Sequence, residues 1–328
     1  MQALQQVLGD ELAKCEPATH YLRERRGLTA DDIASLGLGY YPGPKRVAAR
    51  VKDAGGDTSL LREWSVLPPM GDPSPMSGRI VGYWIQPDGS LRLWGRAISD
   101  DRRPKYCFAE GLDKTRPYGY QRSLGPVVAV EGAMDRHSLE LLGVPSCATG
   151  GNQVNAAQAA YLAADGVQSL IFLCDSGKAA RDGVLRTIQV CEPVGIRTAF
   201  AVLREGDDDV DAMRRAGRYD DVQSLAADAI NGGAYLARQV LLHLDDYSEF
   251  EAGIVASHFR LRHMMTDESS AMFDRLLSSF GVLPRPREET VMGLASEMLK
   301  SGMSQGKINE QLQRRFGVDL MISQGRST

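Results

Sequence analysis

The sequence predicts an α/β fold: a parallel βαβ sheet in the middle, a mixed α+β segment before it and a helical module after it. Three observations predict this. Residues 127–130 and 170–174 are continuous apolar runs, each ending in a carboxylate, Glu131 and Asp175. Runs that are apolar on both faces read as strands buried in a parallel sheet. A third run, 198–203, leads into the acidic stretch Gly206-Asp207-Asp208-Asp209-Val210-Asp211. Amphipathic segments separate the three runs, which gives β-α-β-α-β. Around this centre the periodicity changes, from alternation near residues 79–96 to helical spacing beyond 220.

Taken in order, residues 1–40 are expected to be helical, with Leu4, Val7, Leu8 and Leu12 on one face. Thr29 with Asp32 forms a capping-box variant, and Gly37 and Gly39 end that helix. Residues 40–44 read as a turn-rich connector. Residues 46–67 read as two helices broken at Gly55-Gly56, and the proline-rich stretch 68–77 as a loop. Residues 78–96 read as a β-hairpin turning at Pro87-Asp88-Gly89, with a short extended piece at 104–108. In the centre, helices are expected over 134–142, 155–164, 178–191 and 209–216. Strands are expected over 145–148 and 196–203, with a glycine turn at 149–152. Helical spacing continues over 221–244 and 250–265, then over 288–299 and after Ser304.

Composition bounds the function. A chain of 328 residues holds two or three domains. No apolar run approaches the roughly 20 residues that span a bilayer, and MQALQQVLGDELAK lacks the features of a signal peptide. No membrane is expected, and a cytoplasmic location is. The five cysteines include no CxxC pair, which argues against a zinc ribbon. Net charge is −4, but the charge is uneven. Arg92, Arg96, Arg102, Arg103, Lys105, Lys114, Arg116 and Arg122 precede the acidic centre. A basic segment beside converging acids suits polyphosphates or a nucleic-acid backbone.

In open parallel sheets, ligand sites gather beyond the carboxyl ends of the strands. Glu131, Asp175 and acids among 207–211 are therefore expected to converge. Converging carboxylates repel each other, and a hard cation such as Mg²⁺ relieves the repulsion. Any one such acid is an ordinary turn residue; three in series form the pattern of a site.

The central stretch resembles a Toprim domain. Val130-Glu131-Gly132-Ala133-Met134-Asp135 is similar to the "VEGxxD" form of DnaG-type bacterial primases. Ala148-Thr149-Gly150-Gly151-Asn152 with Gln158 resembles the "ATxGTxxT..Q" segment, and residues 206–211 resemble "GKDPDD". Upstream, Tyr21-Leu22 with Arg26-Gly27-Leu28-Thr29 and Leu38-Gly39-Tyr40 resembles the "YLxxRGLT" entry of the primase core. Gly95-Arg96 and Pro104-Lys105-Tyr106 match further family motifs, and residues 114–120 stand for "FxKgxxLYG". The resemblance covers about residues 15–215 in the family's order. Two departures stand out. Gly177 occupies the place of the second Asp of Asp-x-Asp, for which Asp182 is a candidate substitute. The tail beyond 220 matches no primase helicase-binding domain.

The resemblance implies a primase-like α+β subdomain over 1–122, a Toprim domain over 123–220 and a helical module over 221–328. It implies a DNA primase that synthesises short RNA primers on single-stranded DNA by Mg²⁺- or Mn²⁺-dependent nucleotidyl transfer. Glu131, Asp175 and Asp208 would be catalytic; Glu131, Asp175, Asp208, Asp209 and Asp211 would hold metal. Arg96, Lys105, Tyr106, Lys114 and Lys178 would meet nucleotides or template. Ribonucleoside triphosphates are the expected substrates, and a replicative helicase or other replication protein the expected partner. Two readings compete: a Toprim nuclease using the same acids, and a catalytically degenerate primase-like protein that binds nucleic acid or nucleotides. Residues 299–318 also resemble a helix-turn-helix, against the plainer reading of a packed helical module.

Overall fold

The structure, a computed structural model, describes residues 2–69, 73–174, 178–203, 209–243, 258, 261–280 and 288–316. These fall into two compact units, Met1–Ala229 and Ile230–Thr328.

In the first unit, α1 (Gln2–Lys14) buries the expected stripe of Leu4, Val7, Leu8 and Leu12. Helix α2 (Glu16–His20) continues into a π-helical turn, Tyr21–Arg25, that buries Tyr21 and Leu22. Helix α3 (Ala30–Ser35) starts at the expected capping box, with Asp32 N–H donating to Thr29 Oγ1 at 3.1 Å and Thr29 N–H to Asp32 Oδ2 at 2.8 Å. Helices α4 (Pro44–Asp53) and α5 (Thr58–Glu63) follow.

Strand β1 (Gly39–Tyr41) corrects the connector expected from residue 40 onward. Three residues are too few to show alternation, and tertiary contacts make the strand. Tyr41 is fully buried and its hydroxyl donates to the Val66 carbonyl at 2.7 Å. A Cβ on Gly39 would lie 2.7 Å from Leu8 Cβ, so only glycine lets α1 pack there. With β2 (Arg79–Ile85), β3 (Leu91–Ala97) and β4 (Tyr106–Phe108), β1 forms an antiparallel sheet in the order β1-β2-β3-β4.

The central sheet is parallel as expected. Strands β5 (Val127–Val130), β6 (Ser146–Ala148), β7 (Ser169–Cys174) and β8 (Arg197–Val202) run in the order β6-β5-β7-β8. Helices α6 (Ala133–Leu141), α7 (Ala156–Ala164) and α8 (Lys178–Cys191) connect them. Helices α9 (Val210–Arg215) and α10 (Tyr219–Ala227) follow β8. The two sheets share one core, in which Ile80, Trp84 and Trp94 pack with Tyr118, Val128, Val130 and Leu173. Tyr118 ties them through reciprocal backbone hydrogen bonds with Ala148, at 2.8 and 2.9 Å.

Beyond the short strand Ile230–Asn231, the regular elements described in the second unit are helices. The helical stretch expected over 221–244, with a Gly-Gly interruption at 232–233, belongs to α10 and to a separate helix that starts at that Gly-Gly, Gly232–His243. Helix Asp267–Ser279, capped by Thr266 and burying Phe273 and Leu277, has no counterpart in the sequence reading. It lies against Gly232–His243 so closely that a Cβ on Gly233 would sit 1.8 Å from the Ser269 carbonyl oxygen. Helices Glu288–Lys300 and Gln305–Phe316 share a small core of Ala295, Ile308 and Leu312. Most of the expected helix over 250–265 lies outside the described residues. No described helix is long and apolar enough to cross a membrane.

Candidate active site

The carboxyl ends of the parallel strands open into a cavity of about 380 Å³ in the first unit. Its lining includes the acids Glu131, Asp135 and Asp209 and the cations Arg26, Arg96 and Lys105. The antiparallel sheet contributes the aromatics Trp84, Trp94, Tyr106 and Phe108 to the same lining.

The acidic part of the lining is built from backbone outward. Strand β5 ends at Val130, so Glu131 stands at its tip, beyond the last paired residue. The Glu131 carbonyl accepts from Gly150 N–H at 3.0 Å, and the Val130 carbonyl from Thr149 N–H at 2.9 Å. The glycine turn that does this is itself pinned. Gln158 Nε2 donates to the Thr149 carbonyl at 2.9 Å, and Gln158 is locked in a capping box with Asn155. Lys114 Nζ donates to the Gly150 carbonyl at 2.7 Å while lying 4.4 Å from the Phe108 ring centroid. Burial lowers the Lys114 pKa. Gly150 has φ +69° and a Cβ there would meet Trp84 at 2.8 Å. Gly150→Ala is therefore expected to cost about 2–4 kcal/mol through left-handed strain plus overpacking, read as a lowered denaturant midpoint.

Asp135 lies one helical turn beyond Glu131 on α6, and its Oδ1 accepts from the Asp211 N–H at 3.2 Å. A Cβ on Gly132 would come within 2.7 Å of Asp135 Oδ2, so the glycine of Glu131-Gly132 makes room for this acid. Asp209 caps α9, its Oδ1 accepting from Ala212 N–H at 2.7 Å, and the same carboxylate lines the cavity.

Asp211, expected among the metal ligands, is placed otherwise. Its side chain is 1% exposed and does not line the cavity. Its oxygens accept from Arg26, from Ser138 Oγ at 3.0 Å, from Arg214 Nη2 at 3.2 Å and from Arg215 Nε at 3.3 Å. Three guanidiniums engage both oxygens, so in this structure Asp211 anchors cations. Arg214 extends the anchor by donating to the carbonyls of Arg26 and Gly27.

The cationic part of the lining is equally constrained. Arg26 donates to Tyr21 Oη through Nε (2.9 Å) and Nη2 (2.8 Å), and to Asp211 through Nη1. Burial pushes its pKa down, but Tyr21 and Asp211 together outweigh burial and raise it above the ordinary value. Arg96, 4% exposed on β3, donates through Nε to Tyr21 Oη at 2.6 Å and through Nη1 to Tyr106 Oη. Its guanidinium lies 4.8 Å from the Tyr106 ring centroid. Burial pushes the Tyr106 hydroxyl up to about 12, so it remains neutral. Lys105 is exposed at the cavity mouth.

The structure thus brings together Glu131, Asp209, Arg96, Lys105 and Tyr106. Lys114 supports the Gly150 turn and does not line the cavity. Asp182 is exposed on α8 and also outside the lining. Asp175 and Asp208 lie outside the described residues, as does the side chain of Lys178. Among the described residues no three acidic, imidazole or thiol groups are grouped to hold a metal ion. Sequence reasoning omitted Arg26 and Asp135 from the site, although both fall inside the motifs quoted above.

No family model matches the chain. The DNA primases of two Neisseria meningitidis strains, serogroups A and B, are each 26% identical over 191 residues, or 55% of this chain. The chain spans 32% of the length of these curated relatives. Among solved structures, a DNA primase domain from Pseudomonas aeruginosa superposes with a TM-score of 0.68 at 24% identity, over 84% of this chain and 94% of that one. The zinc-binding and RNA polymerase domains of Aquifex aeolicus primase give 0.69 at 21% identity, over 89% and 73%. A DnaG primase catalytic domain bound to single-stranded DNA gives 0.68 at 21% identity, over 86% and 97%. The chain has the α/β fold of the DnaG primase catalytic core.

Proposed function

We propose that this chain is a DnaG-type DNA primase core that joins ribonucleoside triphosphates into short RNA primers on a single-stranded DNA template. The observation that carries the reading is the two-signed cavity: the carboxylates of Glu131, Asp135 and Asp209 share one lining with the guanidiniums of Arg26 and Arg96 and with Lys105. A polyphosphate drawn to the cations would present its reacting end to the acids. The donor set is all carboxylate oxygen, which suits Mg²⁺ or Mn²⁺. Glu131 and Asp209, with Asp175 and Asp208, are the residues that would hold it. When bound, such an ion polarises the attacked phosphate and neutralises charge on the leaving pyrophosphate.

The chain's own residues supply the rest. Glu131 is placed to take a proton from the attacking hydroxyl or to ligate. Arg26, Arg96 and Lys105 match phosphate charge. Tyr106 holds Arg96 in orientation, and the Gly150 turn holds Glu131. A cytoplasmic setting and a replicative helicase or other replication protein as partner belong to the same reading.

The test is primer synthesis with labelled ribonucleotides on varied single-stranded templates, with Mg²⁺ or Mn²⁺. Short RNA products are expected. Cleavage or relaxation of supercoiled DNA in place of synthesis would replace this reading with a nuclease. Neither activity, together with no affinity for Mn²⁺, would replace it with a primase-like binding protein.

A further inference from the structure

We propose that Tyr21 is a positioning residue, which sets Arg26 and Arg96 side by side as a two-armed clamp for a phosphate-bearing ligand. The ligand class rests on the primase reading above.

Tyr21 is 4% exposed and does not itself line the cavity, whereas Arg26 and Arg96 both do. Its single hydroxyl oxygen accepts from both guanidiniums: from Arg26 at 2.9 and 2.8 Å, and from Arg96 at 2.6 Å. Its ring lies 5.4 Å and 5.9 Å from the two guanidinium carbons. Asp211 counters the Arg26 charge, whereas the Arg96 guanidinium is tied, among the described residues, only to the hydroxyls of Tyr21 and Tyr106. An anion in the cavity would supply its counter-charge.

The outer arm of each guanidinium is also fixed, Arg26 by Asp211 and Arg96 by Tyr106. With two sides of each fork tied, the planes cannot swing. The Arg96 Nη2 group is left without a partner among the described residues. Planar forks held in this way recognise phosphate oxygens through paired N–H donors, and prior ordering lowers the entropy cost of binding. Tyr21→Phe keeps the ring in the core and removes only the shared acceptor.

The experiment uses the full chain and inorganic tripolyphosphate as probe, followed by tryptophan emission, because Trp84 and Trp94 line the cavity. Tyr21→Phe is expected to weaken binding about tenfold. In primer synthesis it is expected to raise the KM for ribonucleotide by a similar factor and to leave kcat within about twofold. In an Arg96→Lys background the same change is expected to cost about threefold or less, because Lys lacks the fork that Tyr21 orients. Unchanged tripolyphosphate affinity in Tyr21→Phe overturns the clamp, as does a full tenfold penalty persisting beside Arg96→Lys. No tripolyphosphate binding by the unmodified chain overturns it too. Should Tyr21→Phe fail to fold, Arg96→Lys alone carries the test: it keeps the charge, and undiminished affinity overturns the clamp. An unmodified chain that makes no primer, yet binds tripolyphosphate in a Tyr21-dependent way, supports the clamp and refutes the primase reading.

Discussion

Glu131→Ala is expected to lower primer synthesis by about 10²–10⁴-fold while leaving the protein folded. The size follows from position. Glu131 stands at the tip of β5 in the cavity lining, and the turn that fixes its backbone is pinned by Gln158 and Lys114. Its main-chain bonds to Gly150 do not use the side chain, so truncation removes the carboxylate without disturbing the turn. The side chain is half-buried in a solvent-reaching cavity, and stability is expected to change by less than about 1 kcal/mol. Glu131→Gln keeps the shape and loses the charge, so it is expected to be nearly as inactive. Incorporation of labelled ribonucleotide, with thermal unfolding on the same samples, checks both halves. Robust synthesis by either variant would remove Glu131 from the reaction.

Asp211→Ala is expected to destabilise the first unit by about 3–5 kcal/mol. The carboxylate is buried and partners Arg26, Arg214 and Arg215; without it two nearly buried guanidiniums lose their counter-charge. Asp211→Asn keeps some of the hydrogen bonds and is expected to cost less. The sign separates two roles. Were Asp211 a metal ligand, removing it would relieve repulsion among neighbouring acids, and the metal-free protein would hold or gain stability. Urea unfolding without divalent ions makes the comparison, and a stability gain would restore Asp211 to the ligand set.

The sequence was informative where chemistry and backbone coincide. The apolar runs before Glu131 and after 169 are strands of the parallel sheet, as is the third run that precedes the acidic stretch. Gly132 and Gly150 were visible as motif glycines, and the structure gives each a physical reason, room for Asp135 and contact with Trp84. What escaped was pairing across distance. Asp211 looked like its neighbours Asp208 and Asp209, one acid in an acidic run. Its role is set by Arg26, Arg214 and Arg215, and no local pattern reports which side of a short helix faces an arginine far upstream. Arg26 sat in a recognised motif and was passed over for the same reason. β1 was missed because three residues carry no periodicity, and Asp267–Ser279 was not singled out within the helical tail.

The Arg26–Asp211 pair has a consequence for the order of events during synthesis. Its partners are 185 residues apart in the chain. Contacts of such separation close late, after the intervening chain has formed its own local structure. The segment carrying Tyr21 and Arg26 leaves the ribosome first, yet the Arg26 guanidinium is tied to α9, made after both sheets. A nascent chain that has folded both sheets without α9 still lacks the ion pair that fixes Arg26, so the final setting of that guanidinium is one of the last properties the first unit acquires.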